Sequence, residues 1–248
     1  LYFPDRANTP GLTHAMEGKA TISLKPQANE YDSTKSESVN FGTGIDLAFS
    51  PIQHLGLIAS YRWITDRRIE ENQSYDLFSE SKKTIGGVFN GKRWEIGAGY
   101  YDTIGTRGKV ELYGGYGNGS LQRRGKELPE YDYDTRYHRF FLQPAAGFGL
   151  SKFFSFTGGI RFAFMKFYDF QSANPDLQYH IGKSKQDVTS TVFTFIEPFV
   201  NFEGGYKFLK GNIQVGASRQ LIHTNIAGNL PVYISLGIVL HFDEAFFR

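Results

Sequence analysis

An all-β chain closed into a ten-stranded antiparallel up-and-down transmembrane β-barrel is the fold this sequence predicts, and three observations predict it. The first is the stretch Val232–Phe242, which alternates without a break. Val232, Ile234, Leu236, Ile238, Leu240 and Phe242 fall on one face, and Tyr233, Ser235, Gly237, Val239 and His241 on the other. A long period-two run that closes on an aromatic suits a strand with one face to lipid and one to a polar interior. The second is hydropathy. The 248 residues are 16% aromatic with 28 Gly, yet mean hydropathy is −0.36. No apolar run reaches the roughly 18 residues that a spanning helix needs. The longest candidate, Phe153 to Phe167, is broken by Ser155, Gly158, Gly159, Arg161 and Lys166. The third is a strict alternation of short and long connections between period-two stretches.

Those stretches, in order, are Lys19–Lys25, Phe41–Ser50, Gly56–Thr65, Lys92–Tyr101, Lys109–Asn118, Tyr137–Leu150, Phe153–Tyr168, Val192–Lys207, Gly211–Leu221 and Pro231–Phe242. In the second, Phe41, Thr43, Ile45, Leu47 and Phe49 oppose Gly42, Gly44, Asp46, Ala48 and Ser50. Strands two and three are joined by Pro51–Leu55, four and five by Asp102–Gly108, six and seven by Ser151–Lys152, and eight and nine by Phe208–Lys210. The other connections, 28–40, 66–91, 119–136, 169–191 and 222–230, are long and polar. All tight turns therefore sit at one end and all loops at the other, the asymmetry of barrels with short periplasmic turns and long extracellular loops. An even strand count leaves both termini periplasmic. The expected organisation is a periplasmic N-terminal segment over 1–18 and a barrel with five long extracellular loops over 19–248.

Size decides which face points out. About five bulky apolar residues per strand exceed what a narrow interior holds, whereas Gly42, Gly44, Gly97, Gly99, Gly115, Gly117, Gly147, Gly149 and Gly237 suit a crowded inside. A soluble ligand-binding barrel is the alternative with the faces reversed. Aromatics gather in two rows, as girdles at two membrane interfaces do. Trp63, Trp94, Phe140 and Phe164 lie toward the loops, and Phe49, Tyr100, Phe148, Phe154, Tyr206 and Phe242 toward the turns. Pro144 and Pro198, each mid-strand, remove a ladder donor and read as local irregularities.

Formal charge is +2, from 27 basic and 25 acidic residues, too balanced for a nucleic-acid partner. Zero Cys removes disulfides, thiolate metal sites and thiol catalysis. The start at Leu1, with neither Met nor signal peptide, reads as a processed form.

Several short pieces carry a family likeness: Pro4 with Asn8-Thr9-Pro10, Glu17-Gly18-Lys19-Ala20, Gly97-Ala98-Gly99-Tyr100-Tyr101, Val110 through Gly117, Arg139 through Pro144, and Glu197-Pro198. With these the chain resembles the small outer-membrane β-barrel proteins of Bacteroidota, many of them lipoproteins. The resemblance implies an outer-membrane location, lipid as a partner and an N-terminal lipid anchor. In such relatives a lipidated Cys precedes the Pro-Asn-Thr-Pro region, so here the anchor would belong before Leu1. It implies little defined activity.

The interior face collects Lys19 and Lys25 with Asp46, Arg62, Arg93, Glu95, Glu111, Arg139, Arg161, Glu197, Glu203 and His241. Charges of both signs can pair, and a bore of this strand number is little wider than ones filled by side chains. A plugging charge network is the expectation, with a narrow channel or solute-binding barrel as the rival. An omptin-like protease needs Asp and His converging at the loop end. His138, His180 and His223 are there with Asp132, Asp134, Asp169, Asp176 and Asp187, but no Asp–His adjacency stands out. Glu127–Asp134 holds four carboxylates without EF-hand spacing or Gly, and Arg123, Arg124 and Lys126 stand by to neutralise it. No metal or other cofactor is expected. Tyr75, Phe78, Tyr131, Tyr133 and Tyr179 are loop residues suited to protein contact. The expected role is non-enzymatic: a structural or interaction subunit of a larger outer-membrane assembly, with protein partners there.

Overall fold

The computed structural model describes residues 6–28, 38–73, 82–125, 132–172, 189–206, 208–221 and 232–242. Eleven strand segments form a single sheet: β1 Gly18–Ala28, β2 Ser38–Ile52, β3 Leu55–Gln73, β4 Lys82–Ile104, β5 Gly108–Gly125, β6 Tyr133–Gly149, β7 Phe154–Ser172, β8 Val192–Tyr206, β9 Leu209–Ala217, β10 Arg219–Gln220 and β11 Val232–Phe242. β10 carries β9 onward past Ser218 and still pairs with β8, through Arg219↔Ile196, so ten strands span the wall. Each neighbour in sequence pairs antiparallel, and β1 pairs with β11 from Gly18↔Phe242 to Leu24↔Leu236. With β8 and β9 also paired, the sheet has no free edge and the barrel is closed.

Alternation sorts the two faces. In β2, Gly42, Gly44, Asp46, Ala48 and Ser50 are buried while Thr43, Ile45, Leu47 and Phe49 are exposed. The exposed set around the barrel is apolar, with Ile22, Ile96, Leu142, Ile160, Ile213 and Ile238 all open to the outside. A water-solvated protein would bury that surface; a bilayer solvates it. The aromatics read as girdles face outward as well: Trp63, Trp94, Phe140, Phe164, Phe49, Tyr100, Phe148, Phe154 and Tyr206 are exposed, and Phe242 is half-buried.

Strands run farther than period two alone indicates. β3 and β4 stay paired up to Gln73↔Lys82, so most of the expected 66–91 loop is hairpin ladder. β5 extends to Gly125, β6 begins at Tyr133 and β7 ends at Ser172, which shortens the 119–136 and 169–191 connections in the same way. The reason is that ladder hydrogen bonds are backbone bonds. They continue past the point where burial stops selecting side chains. At the other end β2 turns into β3 through Gln53-His54, His54 taking φ 67°, and β4 into β5 through a turn with Gly105 at φ 63°. Both prolines face outward. The β6–β7 ladder passes from Leu142↔Phe162 to Ala145↔Gly159 in unchanged register, with Pro144 in the gap.

Candidate functional site

The largest departure from expectation is inside the barrel. Residues 1–18 read as a periplasmic segment, yet Arg6 to Pro10 and Leu12 are buried within the lumen. The polypeptide enters at the turn end, where the Met16 amide donates to the Ser50 carbonyl at 2.7 Å, and runs back up the bore. Nothing in the run Arg6-Ala7-Asn8-Thr9-Pro10-Gly11-Leu12 has strand or helix periodicity, so pattern alone leaves it outside the barrel. Its backbone groups find partners among inward-facing side chains instead of a ladder. The Ala7 amide donates to Gln214 Oε1 at 2.8 Å, and Gln214 Nε2 donates back to the Ala7 carbonyl at 3.0 Å. Gln143 Nε2 donates to the Asn8 carbonyl at 2.7 Å, and Lys19 Nζ to the Thr9 carbonyl at 2.6 Å. Asn8 Nδ2 donates to the Leu47 and Ala59 carbonyls at 3.0 and 3.3 Å. Leu12 seats in a socket of Ala48, Ile58, Tyr101, Tyr113 and Phe141.

Charge pairs occupy the levels around and above this segment. Near the turn end Glu203 accepts from Lys19, and His241 Nε2 stands 3.5 Å from its other oxygen. Asp46 receives Arg62 on one oxygen and faces Arg6 Nε at 3.2 Å with the other. Ser60 Oγ adds a bond to Asp46 at 2.8 Å. Glu95 is ringed by three guanidinium groups, Arg161 at 2.6 Å, Arg139 at 2.7 Å and Arg93 at 3.5 Å. Arg139 also donates to Glu197 at 2.7 Å, and Arg161 lies 4.2 Å over the Phe141 ring. Desolvating such charges is costly, and multiple short pairs offset that cost. The residues read as a lumen network thus all face inward: Asp46, Arg62, Arg93, Glu95, Glu111, Arg139, Arg161, Glu197 and Glu203 are buried, and His241 half-buried.

Toward the loop end the filling becomes apolar. Leu121, Tyr137, Ala163, Met165, Phe167, Phe193 and Phe195 form one buried cluster, capped by Tyr133 stacked on Phe170 at 5.6 Å. Tyr133 is therefore corrected from a loop contact residue to an interior one. It lies in β6, where ladder alternation turns it inward. Tyr75, Phe78, Tyr131 and Tyr179 lie outside the described residues.

His138 faces the outer wall, stacked on Tyr168 at 4.1 Å and bonded through Nδ1 to the Tyr116 hydroxyl, while His180 and His223 lie outside the described residues. Asp134 is held by Arg124 at 2.8 Å, and Asp132 accepts from the Gly125 amide. Among the described residues no group of His, Asp and Glu is arranged to hold a metal ion.

No family model and no curated protein matches the chain. Solved structures do. The translocator domain of the autotransporter NalP from Neisseria meningitidis superposes with a TM-score of 0.52 at 10% identity, over 96% of this chain and 90% of that one. An outer membrane channel from Pseudomonas putida F1 gives 0.47 at 12% identity, over 97% and 100% of the two chains. The outer membrane protease OmpT from Escherichia coli gives 0.46 at 10%, over 92% and 94%. At these identities the likeness is one of fold, that of the closed antiparallel barrels of Gram-negative outer membranes.

Proposed function

We propose that the protein is a bacterial outer-membrane barrel that neither conducts nor catalyses, and that serves as a structural or interaction subunit within a larger outer-membrane assembly. The observation that carries this reading is the filling of the bore. The N-terminal segment, the Glu95-centred charge cluster and the Leu121–Phe195 apolar layer follow one another along it. An apolar layer excludes water, and with it hydrated ions. Function then belongs to surfaces: the loop end and the lipid-facing wall. Gly18 and Phe242, the barrel ends of β1 and β11, pair at the turn end, which in this reading faces the periplasm.

Planar-bilayer recording of the purified protein tests the closed bore. The expected result is no stable open step, and stable steps altered by Glu197→Gln or Arg161→Gln would restore the channel reading. Mild-detergent purification from native membranes tests the subunit role. A stoichiometric co-migrating protein is expected, and migration as a lone barrel would count against it.

A further inference from the structure

Two cross-strand rows at the loop end of β4–β7 carry polar groups on the outward face. The upper row runs Lys92↔Ser120↔Arg136↔Asp169, and the lower Trp94↔Asn118↔His138↔Lys166. Lys92, Arg136 and Lys166 are exposed. Asp169 faces Arg136 at 3.9 Å and accepts from Gln171 Nε2 at 3.4 Å, and Asp134 is bonded to Arg124, so within these two rows Lys92, Arg136 and Lys166 face the single carboxylate of Asp169. The polar frame is internally bonded: Asn118 Nδ2 donates to the Tyr168 hydroxyl at 3.1 Å, and His138 bonds Tyr116 and stacks on Tyr168. Directly below, Ile96, Phe140 and Phe164 present exposed apolar surface.

We propose that this patch binds a phosphate-bearing membrane lipid. Cations interleaved with hydroxyl and amide groups in the two rows, with rings directly below, match the phosphate and polar linkage of such a lipid and then its acyl chains. Lys92, Arg136 and Lys166 take the phosphate, Ser120 and Asn118 the linkage oxygens, and Phe140 the first methylenes. Charge complementarity sets the choice of an anionic over a zwitterionic lipid. The proposal rests on the reading of this wall as lipid-facing.

The chain has two Trp, and one of them, Trp94, sits in the patch. In a Trp63→Phe background Trp94 alone reports. The full chain is reconstituted in phosphatidylcholine vesicles, and quenching is compared between chain-brominated phosphatidic acid and chain-brominated phosphatidylcholine at equal mole fraction. Excess quenching by the phosphatidic acid is expected, with local enrichment falling on the order of fivefold for each cation removed. Lys92→Gln/Arg136→Gln/Lys166→Gln together should erase the excess. Lys92→Gln and Lys166→Gln singly, at exposed positions, keep the test available should the triple variant not fold. Equal quenching by the two lipids, or an excess that survives these changes, overturns the proposal and leaves the membrane reading standing. Quenching by neither lipid overturns both.

Discussion

Arg6 and Asp46 stand 3.2 Å apart inside the barrel, one on a segment that belongs to no strand and the other on β2. Asp46 also receives Arg62, so one carboxylate holds two guanidinium groups, one from the wall and one from the bore. Removing it takes a counter-charge from both, leaving Arg6 its bond to Asn212 at 2.9 Å and Arg62 its bond to the Ile45 carbonyl at 3.1 Å. Asp46→Ala is expected to destabilise by about 3–5 kcal/mol, read as a lowered urea midpoint in liposomes. Arg6→Ala leaves Arg62 to neutralise Asp46 and should cost less. Equal costs would mean that Arg62 alone does not neutralise Asp46.

Leu12 fixes the segment by packing alone, with its side chain fully buried among Ala48, Ile58, Tyr101, Tyr113 and Phe141. Leu12→Ala should cost about 2–5 kcal/mol. A near-neutral effect in the same urea assay would show that residues 6–12 do not occupy the bore in the membrane.

Glycines separate the two faces in a second way. A Cβ on Gly237 would meet Asn212 Oδ1 at 2.5 Å, the Ile22 carbonyl at 3.0 Å and Arg6 Nη1 at 3.1 Å, whereas one on outward-facing Gly114 meets nothing nearer than 3.7 Å. Gly237→Ala should cost about 1–3 kcal/mol and Gly114→Ala within about 0.5 kcal/mol of nothing. Matching losses at both would deny that Gly237 makes room for Arg6.

Ile238 and Ile104 are each 61% exposed, but they differ in depth. Ile238 pairs with Ile22 in the middle of the wall, and Ile104 pairs with Gly108 beside a turn. Arg at the bilayer midplane costs about 2–4 kcal/mol, and near an interface about 0–1. Ile238→Arg should therefore impair heat-modifiable folding into liposomes far more than Ile104→Arg. In a water-solvated barrel the two would be alike.

What was legible in the sequence was whatever a strand period encodes. Alternation separates Asp46 from Leu47 and Arg139 from Phe140 because each lies in a sheet with one face to lipid. Ten strands follow from the same rule, as do the turn and loop ends. Three features escaped it. The ladders of β3 and β4 outrun the bilayer, where no face is selected. Tyr133 looked like loop because its neighbours are acidic. The segment Arg6–Leu12 has no period at all, though its place left a signal elsewhere. Inward Gly44, Gly97, Gly99, Gly115 and Gly237 leave more room than the wall's own charges fill, and part of that room holds a second stretch of chain.

The pairing of β1 with β11 makes the barrel a ring whose clasp is formed from its first and last strands, residues 18–24 meeting 236–242. Such a clasp can shut only after all the strands between have been laid down, which places the longest-range ladder at the end of barrel assembly. Arg6–Leu12 lies a few residues ahead of β1 and reaches the concave side either before that moment or through one of the two mouths. A chain that stops short of Val232 would therefore lose more than one strand. It would be an open sheet with two unpaired edges, and its own leading residues would have nothing to be enclosed by.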